Sequence, residues 1–304
     1  MSLRADSKIS LRPNVLLSQY TTMQIGGLAE SFAEPANEEE LSQILQYAHR
    51  ESIPYVILGK GSNVIFPDEG YPGIVITLLQ FEKNKIEFDP GKPEVRASAG
   101  VFLYKFVLAC RDHGIGGSEF LANIPGTVGG ALAMNAGFSR FPGQRSEIGD
   151  IVQEVTLMNP DGSKEVLGKD QLEFGYRKSN LSGRIIVEAK FRLWRRSSEL
   201  IEKEIRACFK YRNDKQDLKH PSSGSVFKNP PAPLPPAAKL IDELGLKGTR
   251  IGGMMVSPKH ANYFINMGQG KCSEMVELIQ LIQDKVFNVK GIWLEPEVRI
   301  VPKP

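Results

Sequence analysis

The chain has 304 residues, 41% of them hydrophobic and 24% charged, which is enough apolar mass for a substantial core and a length that allows two domains. A formal charge of +3 excludes a strongly basic nucleic-acid binder and allows at most a local basic pocket for an anionic ligand. Cys110, Cys208 and Cys272 have neither disulfide-framework nor metal spacing, so a reduced, intracellular chain without a metal is expected; there is no run of about 18 apolar residues and no apolar signal core in the first ten residues, so neither a membrane span nor a signal peptide is expected.

In chain order, the segment to about residue 20 reads as an arm. After Thr21-Thr22-Met23-Gln24-Ile25-Gly26-Gly27 a strand is predicted over 29–34, stopped by Pro35. Asn37 with Glu40 three residues on has the capping-box pattern, and Leu41, Ile44, Leu45 and Ala48 recur at helical spacing, which predicts an amphipathic helix to about residue 50. Strands are predicted at 55–58, 74–77, 85–88 and 95–99, with a helix over 101–113. The stretches 151–158 and 184–191 alternate as strands do, and Asn159-Pro160-Asp161-Gly162 predicts a hairpin turn after the first. Composition shifts near Arg195, where a charged helix over 199–213 leads into a polar loop over 215–225. The domain boundary is placed there, giving 1–197 and 198–304. A stiff Pro-rich loop over 230–236, a short helix over 237–244, strands at 254–257 and 263–266, a helix over 273–288 and a last strand over 294–301 complete the chain.

Two glycine-rich stretches can carry chemistry. Gly59-Lys60-Gly61-Ser62-Asn63 follows a strand, and Ile124-Pro125-Gly126-Thr127-Val128-Gly129-Gly130 leads into Ala131-Leu132-Ala133. Backbone N–H groups in such loops form anion nests, and glycine permits close approach of a phosphate. Neither has the Walker or dinucleotide-fold spacing, and each by itself also reads as a plain tight turn. A second set is scattered: Arg177 in Phe174-Gly175-Tyr176-Arg177-Lys178-Ser179, Ser225 in Gly224-Ser225-Val226-Phe227-Lys228-Asn229-Pro230, and Glu297 in Leu294-Glu295-Pro296-Glu297-Val298-Arg299. An Arg can grip a carboxylate through two parallel hydrogen bonds, a Ser can donate a proton, and a Glu can polarise a conjugated acid. The same residues also read as a solvated Arg, a turn Ser and a strand-end Glu. His49 and His113 read as structural or surface groups at helix ends, Arg195-Arg196 as a solvated pair, and Met254-Met255 as core.

Taken in order, these motifs resemble the MurB family of UDP-N-acetylenolpyruvoylglucosamine reductases, from Thr21 to Ile300. Lys239-Leu240-Ile241-Asp242-Glu243, Gly245-Leu246-Lys247-Gly248 and Lys259-His260-Ala261-Asn262 match as well. The resemblance implies an α+β fold: a vanillyl-alcohol oxidase-like FAD-binding domain of two subdomains, followed by a smaller α+β substrate-binding domain. It implies non-covalent FAD, with Gly59, Lys60, Gly61, Ser62, Asn63, Ile124, Pro125, Gly126, Thr127, Gly129 and Gly130 as its cradle. NADPH would reduce the flavin, and the reduced flavin would pass hydride to the enolpyruvyl group of a UDP-amino-sugar, in cytoplasmic peptidoglycan synthesis. Arg177 and Glu297 would stabilise the electron-rich carboxylate, Ser225 would protonate C2, and Tyr176, Asn229, Lys239 and His260 would line the substrate. No long Tyr-bearing insertion separates the Arg177 and Ser225 motifs, which resembles the shorter, second type of the family. The stretch 138–145 looks longer and more basic than the family's short turn, and the Pro-rich 230–236 replaces a glycine-containing link. A flavin oxidase of the same fold acting on a small alcohol should lack the Ser225 and Glu297 motifs. A non-catalytic nucleotide-sugar binder should have lost Arg177, Ser225 or Glu297, and all three are present.

Overall fold

The computed structural model describes residues 9–141 and 144–301. Residues 1–8 of the opening segment and 142–143 of the basic stretch lie outside the described residues. The chain divides into two compact units and passes repeatedly from one to the other: unit 1 holds residues 1–13, 31–60 and 73–212, and unit 2 holds 14–30, 61–72 and 213–304. The strands Arg12–Leu16, Leu28–Ala33 and Tyr71–Thr77 carry the chain across this division. The expected arm thus contains a strand, followed by a single turn at Leu17–Tyr20.

Unit 1 begins its helices with α1 (Glu38–Arg50). The Asn37 side chain accepts the Glu40 N–H at 2.9 Å, as the sequence pattern predicts. Glu40 reaches back to the N–H of Ala36 instead of that of Asn37. Leu41, Ile44, Leu45 and Ala48 are all buried, and each large side chain among them contributes about 1.5–3 kcal/mol by leaving water. Strand Tyr55–Leu58 runs parallel to Ile74–Thr77 and ends in the first glycine loop. A five-stranded antiparallel sheet follows, in the order Lys164–Gly168, Val152–Met158, Ile185–Arg192, Glu94–Ser98, Ile86–Phe88. Val187, Ala189 and Phe191 point to the core while Glu188 takes the other face, where Arg96 bridges Glu154 at 2.9 Å and Glu188 at 3.0 Å. Helices α2 (Leu103–Asp112), α3 (Val128–Ala133), α4 (Ile148–Ile151) and α5 (Ser198–Lys215) complete the unit's helical set. Helix α2 starts two residues later than its apolar spacing suggests, because Phe102 stays extended to pair with Thr127.

Helix α5 packs on the unit 1 core through Ile201 and Ile205. Arg196 is not a solvated residue: it lies 2.7 Å from Glu119, which is 4% exposed, and so compensates a buried carboxylate. Cys110 is buried, and desolvation pushes its thiol up to about 12, so it packs as a small apolar group.

Unit 2 has a four-stranded antiparallel sheet in the order Ser222–Ser225, Tyr263–Asn266, Met254–Val256, Arg250–Ile251, with helices α6 (Ala237–Glu243) and α7 (Cys272–Lys290). Met275, Leu278, Ile279, Ile282 and Val286 of α7 pack with Leu240, Ile241, Met254 and Phe264 in a core that also takes Met23, Ile25 and Ile65. Asp68 closes the start of α7: its carboxylate accepts the N–H groups of Cys272 at 2.6 Å and Ser273 at 3.0 Å, and the Ser273 hydroxyl at 2.7 Å.

Two sequence expectations need correction here. The stretch read as a polar loop over 215–225 ends in the strand Ser222–Ser225, whose Ser and Gly residues have little strand preference and pair because Tyr263–Asn266 offers an edge. The last strand is not continuous over 294–301: only Arg299–Ile300 pairs as a strand, beside Val64 and Ile65, because Pro296 interrupts the donor row.

Candidate active site

The two glycine loops, some seventy residues apart in sequence, come into contact within unit 1. A Cβ on Gly59 would stand 2.7 Å from Thr127 Oγ1 and 3.9 Å from Gly130 Cα, so only glycine allows this approach. Thr127 caps α3 by accepting the Gly130 N–H at 3.4 Å. The N–H groups of Val128 and Gly129 are used on the carbonyls of Val101 and Ala99, at 2.9 Å each. Those bonds hold the second loop rigid and take the Val128 and Gly129 amides away from any ligand. The first loop differs: among the described residues, the N–H groups of Gly59, Lys60, Gly61 and Ser62 have no acceptor. Gly61 turns the chain at φ +67°, where a Cβ would collide with the Tyr20 carbonyl at 2.1 Å. A row of free amides on a tight glycine turn suits a diphosphate, so the fit of an FAD pyrophosphate rests on the first loop. Lys60 places its ammonium 5.1 Å from the Phe102 ring centroid. Ile124 is half-buried and Pro125 exposed, and the Asn123 carbonyl just before them takes the guanidinium of Arg212.

Helix α3 leads from the second loop to Arg177. At its C-terminal end the Ala133 carbonyl accepts the Ser179 hydroxyl at 2.9 Å. Asn135, 1% exposed and at φ +45°, donates to the Gly175 carbonyl at 2.9 Å and accepts from Gly149 N–H at 3.1 Å. These bonds seat the hairpin of Phe174–Gly175 and Lys178–Ser179, whose turn is Tyr176-Arg177. Arg177 is held at φ +55°, a conformation rare for a side-chain-bearing residue and one that clusters at functional sites. Its guanidinium lies 5.5 Å from the Tyr176 ring centroid and donates to the Gly137 carbonyl at 3.2 Å.

Unit 2 carries the other two catalytic candidates and joins their backbones. The N–H of Glu297 donates to the Val226 carbonyl at 2.7 Å, and the N–H of Lys228 donates to the Glu295 carbonyl at 2.9 Å. Asn63, at the end of the first glycine loop, donates from its side chain to the Glu297 carbonyl at 3.0 Å. Its own carbonyl accepts the Arg299 N–H at 2.9 Å. Ser225, Glu297 and Asn63, from three distant stretches, therefore lie in adjacent backbone segments, and all three residues are half-buried. Thr22 completes the link, taking its N–H to the Gly61 carbonyl at 3.0 Å and its hydroxyl to the Ser222 carbonyl at 2.7 Å.

The expected substrate residues are less alike. Asn229 accepts the Ala237 N–H at 3.1 Å and so caps the start of α6. Lys239 extends from α6 with 64% of its side chain exposed, a loose 3.9 Å from Glu243. His260 lies edge-on to Tyr263 at 4.7 Å and accepts the Asn262 N–H at 3.2 Å; burial holds its imidazole below the ordinary range. Asn262 is a residue the sequence reading passed over. Its side-chain amide pairs with both backbone groups of Phe227, at 2.9 and 2.8 Å, and so holds the segment after Ser225. Its place in the Lys259-His260-Ala261-Asn262 motif was the available signal.

The family model for the UDP-N-acetylenolpyruvoylglucosamine reductase C-terminal domain matches residues 216–301, and that for an FAD binding domain matches residues 29–168. The UDP-N-acetylenolpyruvoylglucosamine reductase of Syntrophus aciditrophicus is 41% identical over 94% of this chain and 90% of its own length. UDP-N-acetylenolpyruvoylglucosamine reductase 2 of Bacillus thuringiensis is 38% identical over 96% of this chain and 92% of its own. The crystal structure of the Thermus caldophilus enzyme (MurB) superposes with a TM-score of 0.80 at 34% identity, covering 96% of this chain and all of that one. The fold is accordingly α+β, with an FAD binding domain and a smaller C-terminal domain. The chain belongs to the UDP-N-acetylenolpyruvoylglucosamine reductase family.

Proposed function

We propose that this chain reduces UDP-N-acetylglucosamine enolpyruvate to UDP-N-acetylmuramate with electrons from NADPH, for peptidoglycan synthesis. The observation that supports the reading is that Glu297 donates its N–H to the Val226 carbonyl and takes the Asn63 side-chain amide on its own carbonyl, which joins the backbones of Glu297 and of the residue after Ser225 to the end of the first glycine loop. When bound, FAD supplies the two-electron relay between NADPH and the alkene.

The chain's own residues supply the rest. The free amides of Gly59, Lys60, Gly61 and Ser62 hold the diphosphate, with Asn63, Ile124, Pro125, Gly126, Thr127, Gly129 and Gly130 shaping the cradle. Arg177 grips the substrate carboxylate, and its planar fork gives that grip a direction. Glu297 polarises the same carboxylate as negative charge builds up on it. Ser225 holds the proton that goes to C2. Tyr176, Asn229, Lys239 and His260 line the sugar nucleotide. The division of labour is an FAD-binding part in 1–197 and a substrate-binding part in 198–304. The buried thiols of Cys110, Cys208 and Cys272 accord with a reducing, cytoplasmic site of action, and no helix among the described residues is long and apolar enough to cross a membrane.

Stopped-flow absorbance of the FAD-loaded protein tests this directly. NADPH should bleach the flavin band, and the enolpyruvyl sugar should restore it faster than dissolved oxygen does. Restoration by oxygen alone, with no effect of the sugar, would identify an oxidase instead.

A further inference from the structure

Unit 2 buries one polar cluster that the proposed chemistry does not use. Asp217 is 8% exposed and Ser257 is fully buried. One Asp217 oxygen accepts the Lys219 N–H at 3.1 Å and faces His220 Nδ1 at 3.2 Å. The other accepts the Ser257 hydroxyl at 3.1 Å. Ser257 Oγ in turn accepts the Lys259 N–H at 3.1 Å, and the Lys259 ammonium donates to the Asn213 carbonyl. A largely buried carboxylate is costly unless its donors stay in place, so the cluster favours one geometry.

Its position matters because of what it precedes. The loop carrying Asp217 and His220 runs directly into the edge strand Ser222–Ser225. That strand pairs with its neighbour at Ser222↔Ile265 and Ser225↔Tyr263, with a register shift between them and Gly224 at φ +77°. Bulges of this kind re-aim side chains, and a Ser-Ser-Gly-Ser strand has little preference of its own to resist slippage. It is therefore held from its two ends. Downstream, Asn262 grips Phe227 on both backbone groups. Upstream, Asp217 ties the approaching loop to Ser257, the residue that follows strand Met254–Val256 and donates its own N–H to the Tyr263 carbonyl at 2.7 Å.

We propose that Asp217, braced by His220 and Ser257, is the positioning residue for Ser225, setting the upstream anchor of the edge strand and so the aim of the Ser225 hydroxyl. This inference rests on the reading of Ser225 as the proton donor to C2. Asp217 acts through the strand. A displacement of the donor by about 1 Å is enough to cost on the order of a hundredfold in a proton-transfer step.

The test uses the FAD-loaded full chain and compares Asp217→Asn, His220→Ala, His220→Asn and Ser225→Ala. Asp217→Asn should leave flavin bleaching by NADPH within about twofold of the parent and slow reoxidation by the enolpyruvyl sugar about tenfold or more. It should also enlarge the solvent deuterium isotope effect on reoxidation, as proton delivery becomes limiting. His220→Ala should behave alike, whereas His220→Asn, whose amide can replace the Nδ1 donor, should recover most of the rate. Hydrogen exchange gives a readout apart from activity: amides of 222–227 should lose protection in Asp217→Asn while those of α7 keep theirs. If Ser225→Ala blocks reoxidation but Asp217→Asn does not slow it, the positioning role is wrong and the donor assignment stands. Equal slowing of both half-reactions, with no rescue in His220→Asn, would likewise reduce Asp217 to a general stability residue. Normal turnover by Ser225→Ala would remove the donor assignment itself, and the positioning role with it.

Discussion

Arg177 combines an uncommon backbone conformation with a directed guanidinium, and both follow from the hairpin turn seated on Asn135 and Ser179. Lysine in its place keeps the charge and loses the planar fork. Arg177→Lys should lower turnover of the enolpyruvyl sugar about tenfold or more while NADPH still bleaches the flavin, as separate half-reaction kinetics would show; unchanged turnover would take Arg177 out of the site. His260 permits a pH prediction. Burial pulls its folded pKa below the unfolded value of 6.5, so near that pH the unfolded chain binds more protons and stability rises with pH. The contribution is complete above 6.5 and is lost as pH falls through that value toward the lower folded pKa. Denaturant midpoints should therefore decline between about pH 7 and pH 5, and His260→Gln should flatten that slope. The carboxylates act in the same direction at lower pH. Burial works to raise Asp68 and Asp217, yet hydrogen-bond donors outweigh it and hold both below 3.8, so their stabilisation is present above that value and is lost as pH falls through the lower folded pKa.

Among the elements, helices are the most legible. The Asn37 cap with Glu40, and the apolar spacing of Leu41, Ile44, Leu45 and Ala48, are contained in a dozen consecutive residues, and α1 follows them closely. Helix α7 is equally plain in its interior, but its cap is not: the carboxylate that closes it belongs to Asp68, 204 residues earlier. Asp68→Ala should destabilise the protein by about 1–2 kcal/mol, the usual cost of a lost N-cap, measurable as a lower denaturant midpoint at unchanged slope. The strand Ser222–Ser225 was hidden for a related reason, since nothing in Ser-Ser-Gly-Ser marks a strand until Tyr263–Asn266 lies alongside. The glycine loops could be found as turns, and their contact could not. Gly59→Val should abolish flavin retention, seen as loss of yellow colour on purification, while far-ultraviolet circular dichroism stays close to that of the parent; a fully yellow variant would show that the loop contact is not needed for the cofactor.

The molecule as a whole is two hydrophobic cores sharing one chain, and each unit is assembled from segments far apart in sequence. Removal of FAD should consequently lower the thermal midpoint, and readdition at about a hundredfold its dissociation constant should restore about 2.7 kcal/mol. An apoprotein melting at the same temperature as the loaded protein would contradict specific binding to the native state. Composition, the spacing of apolar residues, the caps and the order of the glycine, Arg177, Ser225 and Glu297 motifs were enough to read the family, the cofactor and most helices and strands from the linear chain, because each of those signals is carried by neighbouring residues. The pairing of Gly59 with Thr127, the seating of Arg177 on Asn135, the closure of α7 by Asp68 and the clamps of Asn262 and Asp217 were not readable in that way. They depend on which backbone groups face each other after the cores close. Long-range pairing settles that, and no local pattern encodes it.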